Sequence, residues 1–220
     1  MISAVFFDLD GTLLDRTNSL LAFLAEQHAG FFGRLGSADL EKWQSRFLAL
    51  DQNGRVHKSL VYKALLSEFG GDAEAGGELL EDYRQRCCEH ARSFPGMALT
   101  LSALRDRGLK LGIVTNGETD FQMRNIRALG LEALVDAVLI SGAEGLRKPD
   151  AALFQRAAER LNTKPEHCLL VGDNPEADIL GAFGAGMRTA WFNAGAFWPK
   201  ALARNPGAGI SKLAETLALV

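Results

Sequence analysis

The sequence predicts an α/β fold: a parallel sheet with helices between its strands, and a block of helices inserted after the first strand. Three observations predict it. Ile2 to Phe7, Leu109 to Val114 and Cys168 to Val171 are apolar without a break, the pattern of strands covered on both faces. Patterns of helical period separate one strand candidate from the next, the order that makes a parallel sheet. From about Arg16 to Ser93, by contrast, amphipathic helical patterns follow one another with no convincing strand.

Taken in order, the first strand, Ile2 to Phe7, ends in Asp-Leu-Asp-Gly-Thr. Helical patterns follow over about Leu20 to His28, Asp39 to Leu50, Val56 to Phe69 and Glu78 to His90. Ser37 is placed to cap the second of these, and Gly70-Gly71 ends the third. Met97 to Arg107 stops at Gly108 and Glu118 to Leu129 at Gly130, both good left-handed helix ends. Ala137 to Ile140 and Thr189 to Phe192 are shorter strand candidates. Ala151 to Leu161 follows Pro149-Asp150, and Asn174-Pro175-Glu176 reads as a cap, a proline at the first helical position and an acid in the first turn. Ser211 to Leu217 is expected to close the chain as a helix. The expected division is a catalytic core of residues 1–15 and 94–220 and a helical insertion of 16–93, with joints near Asp15–Thr17 and Arg92–Gly96.

At 220 residues, one domain carrying an insertion is expected. The net charge is only -3 and no run of Lys and Arg builds a basic stripe, so nucleic-acid binding gets no electrostatic support and no such partner is expected. A small anionic substrate needs only local positive charge. Cys87, Cys88 and Cys168 have neither a disulfide pattern nor zinc spacing. The apolar start is short, lacks a basic leader and ends in two acids, unlike a signal peptide, and no stretch approaches the ~20 apolar residues of a membrane helix. A cytoplasmic location is expected.

Four segments carry chemistry, each at a strand end or in the loop beyond it, where an open α/β sheet binds ligands. Residues two apart on an extended chain point the same way, so Asp8 and Asp10 bring two carboxylates together. One can serve as nucleophile and the other as acid and base, with a cation beside them to offset their repulsion. A turn rich in Asp and Gly explains the same residues. Val114-Thr115-Asn116-Gly117 offers a hydroxyl and backbone N–H groups to phosphate oxygens, or is simply an Asn-Gly turn. Lys148, within Gly145 to Asp150, can neutralise both a carboxylate and a phosphate oxygen, or be a solvated surface charge. Asp173, with Asp178 a turn and a half further on, fits a metal site, or serves the start of a helix.

In this order, each after a strand, the four segments resemble the haloacid dehalogenase superfamily of hydrolases, phosphatase type, over essentially the whole chain. The match is carried by Asp8/Asp10, Thr115, Lys148 and Asp173/Asp178. The resemblance implies a doubly wound, Rossmann-like parallel sheet core, with the inserted helices as a helical cap domain. It also implies a magnesium-dependent hydrolase of small phosphomonoesters that works through an aspartyl-phosphate. Asp8 would be the nucleophile and a metal ligand. Asp10 would be the general acid and base, binding the metal through its backbone carbonyl. Thr115 and Asn116 would bind the phosphoryl group, and Lys148 would hold it and Asp8 in place. Asp173 would complete the protein's ligands, with Asp178 in support behind them. Oxygen donors and a phosphate suit Mg²⁺. The expected partner is a small phosphate ester, with no nucleic acid and no membrane, and the expected state is a monomer or homodimer.

Dehalogenases of that superfamily lack the second acid, so Asp10 favours phosphate chemistry; a phosphosugar mutase shares the same residues and stays open. A receiver-like signalling module takes its acid pair and nucleophile from different strands and spans only ~120 residues. The Thr-Asn-Gly segment, Gly-Leu-Arg-Lys-Pro-Asp and Phe192-Asn193-Ala194-Gly195 look similar to the pyrimidine 5′-nucleotidase branch. Nucleoside 5′-monophosphates are therefore among the expected substrates, with phosphoglycolate and sugar phosphates open. Gly181, Gly184 and Gly186 follow a helix rather than open one, so close packing and the turn into Thr189 explain them better than a dinucleotide site. Trp191, Phe192, Phe197 and Trp198 read as core or an oligomer contact. Arg55, His57 and Lys58 read as a solvated face, or as contacts to the far end of the substrate.

Overall fold

The computed structural model describes residues 1–194, 196–202 and 207–220, and among these six parallel strands form one sheet. They are β1 (Ala4–Phe7), β2 (Lys110–Thr115), β3 (Ala137–Ile140), β4 (Cys168–Gly172), β5 (Arg188–Phe192) and β6 (Ala208–Ile210), in the order β3-β2-β1-β4-β5-β6. The chain winds from β1 through β2 to β3, then returns to the other side of β1 with β4. That reversal is the switch point at which a doubly wound sheet opens a crevice at its strands' carboxyl ends. Phe7 lies level with Ile113 of β2 and Val171 of β4, so Asp8, Val114 and Gly172 come next on three adjacent strands.

The helices are α1 (Arg16–Gly30), α2 (Leu40–Asp51), α3 (Lys58–Phe69), α4 (Ala75–Arg86), α5 (Met97–Asp106), α6 (Thr119–Ala128), α7 (Ser141–Glu144), α8 (Ala151–Arg160) and α9 (Gly181–Gly184). Every residue of β1 and β4 is buried, which is why both read as unbroken apolar runs. Phe6, Val114, Leu139 and Leu170 share one cluster with Leu153, Phe154, Ala157 and Ala158 of α8. Fully burying Leu153 or Phe154 contributes about 1.5–3 kcal/mol apiece. Val5, Phe7, Leu111, Ile113 and Val171 alternate with these residues along the strands and are buried as well.

Residues 1–16 with 92–220 form one compact unit and residues 17–91 another. Inside the second, Trp43, Phe47, Tyr62, Leu65 and Leu79 are fully buried, and the Phe47 and Tyr62 rings meet edge-on at 5.4 Å. Asp39, not Ser37, caps α2, accepting the Lys42 N–H at 2.9 Å. His57 caps α3, and Gly70 ends it in the left-handed region. Lys58 is largely withdrawn from solvent: its ammonium pairs with buried Asp51 and lies 5.5 Å from the Tyr83 ring centre. Arg55 and His57 are exposed.

Several expected elements take another form. The chain closes on a 3₁₀ segment, Leu213–Ala218, rather than an α-helix, and Pro175–Leu180 winds as a wide π-helical turn before α9. α4 stops at Arg86, with a 3₁₀ turn over Cys87–His90. Gly181 is indeed required by packing, since a Cβ there would sit 2.8 Å from the Phe154 ring, but Gly184 has open space around it. Trp191 packs edge-on against Trp198 at 5.2 Å and Phe192 against Phe94 at 4.9 Å, whereas Phe197 is exposed. Of the segment Phe192 to Gly195, Gly195 lies outside the described residues.

Candidate active site

The site grows out of the end of β1. The Asp8 N–H extends the ladder to Val171 O at 2.9 Å, and the side chain stays buried. The chain then turns tightly, with the N–H groups of Thr12, Leu13 and Leu14 all aimed at Leu9 O. Gly11 has a φ of 87°, and a Cβ there would lie 2.5 Å from Asp173 Oδ2. Backbone conformation and close approach both require glycine, and the loop after β1 is thereby held against the acid at the end of β4.

Lys148 joins segments far apart in sequence. Its ammonium donates to Asp8 Oδ1 at 2.5 Å, Asp178 Oδ1 at 2.6 Å and Val114 O at 2.9 Å, which uses all three N–H bonds. Asn116 fixes the backbone that carries it: Oδ1 accepts the Lys148 N–H at 3.0 Å and Nδ2 donates to Lys148 O at 3.1 Å. The Asn116 side chain therefore holds Lys148, and a phosphate contact from Asn116 would come from its backbone N–H.

Asp178 sits in the π-helical turn, with Oδ2 accepting the Asn174 N–H at 2.9 Å. Gly172 makes room for it; a Cβ there would fall 2.5 Å from Asp178 Cβ. Asn174 caps the turn, accepting from the N–H groups of Glu176 and Ala177. Trp191 Nε1 donates to Asp173 O at 2.8 Å and steadies that loop.

One carboxylate oxygen from each of Asp8, Asp173 and Asp178 lies within 4.8 Å of the others. These three carboxylates face the single Lys148 ammonium, an excess of two negative charges in a largely dry place. The protonation of the site follows from that imbalance. Burial, with Asp178 and Asp173 adding repulsion, pushes Asp8 well above the ordinary carboxyl range although Lys148 opposes it. Asp173 is pushed up to about 7, by burial first and then by Asp178. Burial disfavours the charge on Lys148, but Asp178 and Asp8 outweigh it and keep the ammonium charged. A divalent cation would cancel the excess, and an all-oxygen donor set fits Mg²⁺.

Asp10 stands apart from this cluster. Its Oδ2 accepts from Gln122 Nε2 at 2.6 Å, and Arg16 Nε is 4.0 Å from its Oδ1. Thr115, at the end of β2, accepts from the same Gln122 nitrogen at 2.9 Å. Asp8, Lys148, Asp173 and Asp178 are thus brought together directly, and Asp10 and Thr115 are joined through Gln122. Gln122, Arg16 and Trp191 have no part in the sequence reading of the site. The one available signal was Gln122, a polar residue one helical turn past a Thr-Asn-Gly segment.

Fold and site together define a Rossmann-like hydrolase with a carboxylate–lysine centre at its switch point. The chain belongs to the haloacid dehalogenase-like hydrolase family, whose pattern matches residues 2–186. It is similar to the glyceraldehyde 3-phosphate phosphatase of Pyrococcus furiosus, at 32% identity over 89% of this chain and 82% of that one. It is also similar to the pyrimidine 5′-nucleotidase of Escherichia coli, at 36% identity over 86% and 85%. The crystal structure of a haloacid dehalogenase-type hydrolase of Bacillus subtilis, bound to magnesium and described as revealing interdomain movement, superposes with a TM-score of 0.80. It is 28% identical and covers 99% of this chain and 98% of that one. By this kinship the chain is an enzyme, of the phosphoric monoester hydrolase class.

Proposed function

We propose that the protein is a magnesium-dependent phosphatase of small phosphomonoesters in which Asp8 attacks phosphorus. The observation that carries this is the buried Lys148–Asp8 pair at the carboxyl end of β1, with a second acid, Asp10, held separately by Gln122. In the first displacement a bond forms between Asp8 and phosphorus, the ester P–O bond breaks, and Asp10 gives its proton to the leaving oxygen. In the second, Asp10 takes a proton from water, the water oxygen bonds to phosphorus, and Asp8 is released. Thr115 and Lys148 hold the phosphoryl oxygens throughout, aided by the Asn116 backbone. Asp8, the Asp10 backbone carbonyl and Asp173 would hold Mg²⁺, with Asp178 behind them. The bound ion supplies positive charge against the phosphoryl oxygens.

Residues 17–91 are proposed as the cap, with helices that select the alcohol and exclude water. The substrates we favour are nucleoside 5′-monophosphates and short sugar phosphates, ester types that the names of the Escherichia coli and Pyrococcus furiosus relatives also contain. We favour a reducing cytoplasm, a reading that the free thiols Cys87, Cys88 and Cys168 support. Among the described residues no helix is long and apolar enough to cross a membrane.

The test is phosphate release from a panel of nucleoside monophosphates, triose phosphates and phosphoglycolate, with Mg²⁺ and with EDTA, by the parent and by Asp8→Asn. Release is expected only with metal and only from the parent. No metal-dependent release from any ester would overturn the reading, and turnover by Asp8→Asn would overturn the nucleophile. Isomerised sugar phosphate in place of free phosphate would make the enzyme a mutase.

A further inference from the structure

We propose that Gln122 is a positioning residue for this reaction, its side-chain amide locking the Asp10 carboxylate and the Thr115 hydroxyl into one arrangement. The proposal rests on the phosphatase reading above. Gln122 lies near the start of α6 and is 2% exposed. Its Nε2 is 2.6 Å from Asp10 Oδ2, 2.9 Å from Thr115 Oγ1 and 3.2 Å from Asn116 O. The other end of the amide accepts from Asn125 Nδ2 at 3.2 Å. Acceptors surround one end and a donor meets the other, so the chemistry of the neighbours settles which end is nitrogen. The loop is also pressed against this side chain: a Cβ on Gly117 would lie 2.7 Å from Gln122 Cγ.

A glutamine buried for fold alone would satisfy backbone groups. Here two of the three acceptors are side chains with a part in the chemistry. With Oδ2 on Gln122, the Asp10 carboxylate cannot rotate freely, and Oδ1 is the oxygen left to move the proton. A Thr115 hydroxyl that accepts from Gln122 keeps its own O–H to donate to a phosphoryl oxygen.

p-Nitrophenyl phosphate separates the two displacements. p-Nitrophenolate leaves without a proton, so forming the Asp8–phosphorus bond and breaking the aryl P–O bond does not need Asp10. Hydrolysis of the phosphoaspartate does, because Asp10 takes the proton of the attacking water. In stopped flow with Mg²⁺, Gln122→Met is expected to give a burst of about one p-nitrophenolate per site. A steady state slowed roughly 10²-fold should follow, the scale of a misplaced reacting group. KM should fall with kcat as phosphoenzyme accumulates. Gln122→Glu keeps the shape, removes the donors and is expected to behave alike, so either variant carries the test if the other does not fold. Lost packing alone would lower burst and steady state in proportion. That result, or a steady state within about threefold of the parent, overturns the proposal. Unchanged Gln122 variants beside an Asp8-dependent parent burst would leave the phosphatase reading standing, whereas a parent without Mg²⁺-dependent turnover would remove both.

Discussion

Replacing Lys148 with Met tests the electrostatic core of the site. The ammonium is buried between Asp8 at 2.5 Å and Asp178 at 2.6 Å, whose side chains are 7% and 1% exposed. Met fills much of the same volume but leaves two buried carboxylates without their cation. Breaking a buried pair in this way costs about 3–5 kcal/mol, because the remaining charge has neither water nor a partner. For a chain of this size each kcal/mol is worth about 2–4 °C, so Tm should fall by roughly 6–20 °C. The sign of the pH dependence follows from Asp8, whose proton affinity burial already raises above its unfolded value. A raised carboxyl contributes stability that is full below its unfolded pKa and is lost as pH rises through the folded one. Without Lys148 the folded value climbs further and the loss grows. The gap between parent and variant should therefore be widest near about pH 8 and narrow near about pH 5, where protons replace the missing cation. Calorimetric melts in EDTA at both pH values decide it, and added Mg²⁺ should also close part of the gap. A variant melting within about 2 °C of the parent at the higher pH, or an equal loss at both, would refute the claim that Lys148 balances buried carboxylates.

Other expectations follow from neighbouring contacts. Gly11→Ala forces a Cβ against Asp173 at a positive φ and should raise the Mg²⁺ requirement about 10-fold or more, read from phosphate release against Mg²⁺ concentration. Because burial and Asp178 push Asp173 up to about 7, Mg²⁺ is expected to displace its proton below that pH. Apparent Mg²⁺ affinity should rise with pH through about 7, with proton release visible by calorimetry in buffers of different ionisation enthalpy. Burial raises the Cys168 thiol to about 11, and its Sγ–H donates to Lys164 O at 3.2 Å. Only about 10⁻³ of it is thiolate near pH 8, so iodoacetamide should spare it in the native protein and label it in urea. The stability this thiol contributes is present below its unfolded value of 9.0 and lost as pH rises through about 11, so melts should drop across that range.

What the chain determined by itself was local. β1, β2 and β4 are legible because strands covered on both faces leave unbroken apolar runs, and the turn residues that follow them mark where ligands bind. Asn174 as a cap is likewise local chemistry. β6 was not legible: it has three residues around Gly209 and is a strand because β5 offers it an edge, Phe192 beside Ile210. The same division runs through the site. Asp8, Asp10, Thr115, Lys148, Asp173 and Asp178 can be named from their segments, but their partners cannot. Lys148 meets Asp8 from 140 positions away because β1 lies between β2 and β4. Asn116 can be named from its segment as a phosphate contact, but that its side chain clamps the Lys148 backbone cannot. Gln122, one polar residue among Asp120, Arg124 and Arg127 on α6, is legible only once packing buries it beside Asp10. Residue type and backbone preference are encoded within a few positions, so sequence determined the kind of chemistry. Which group touches which depends on strand order and register, settled only when distant segments pack.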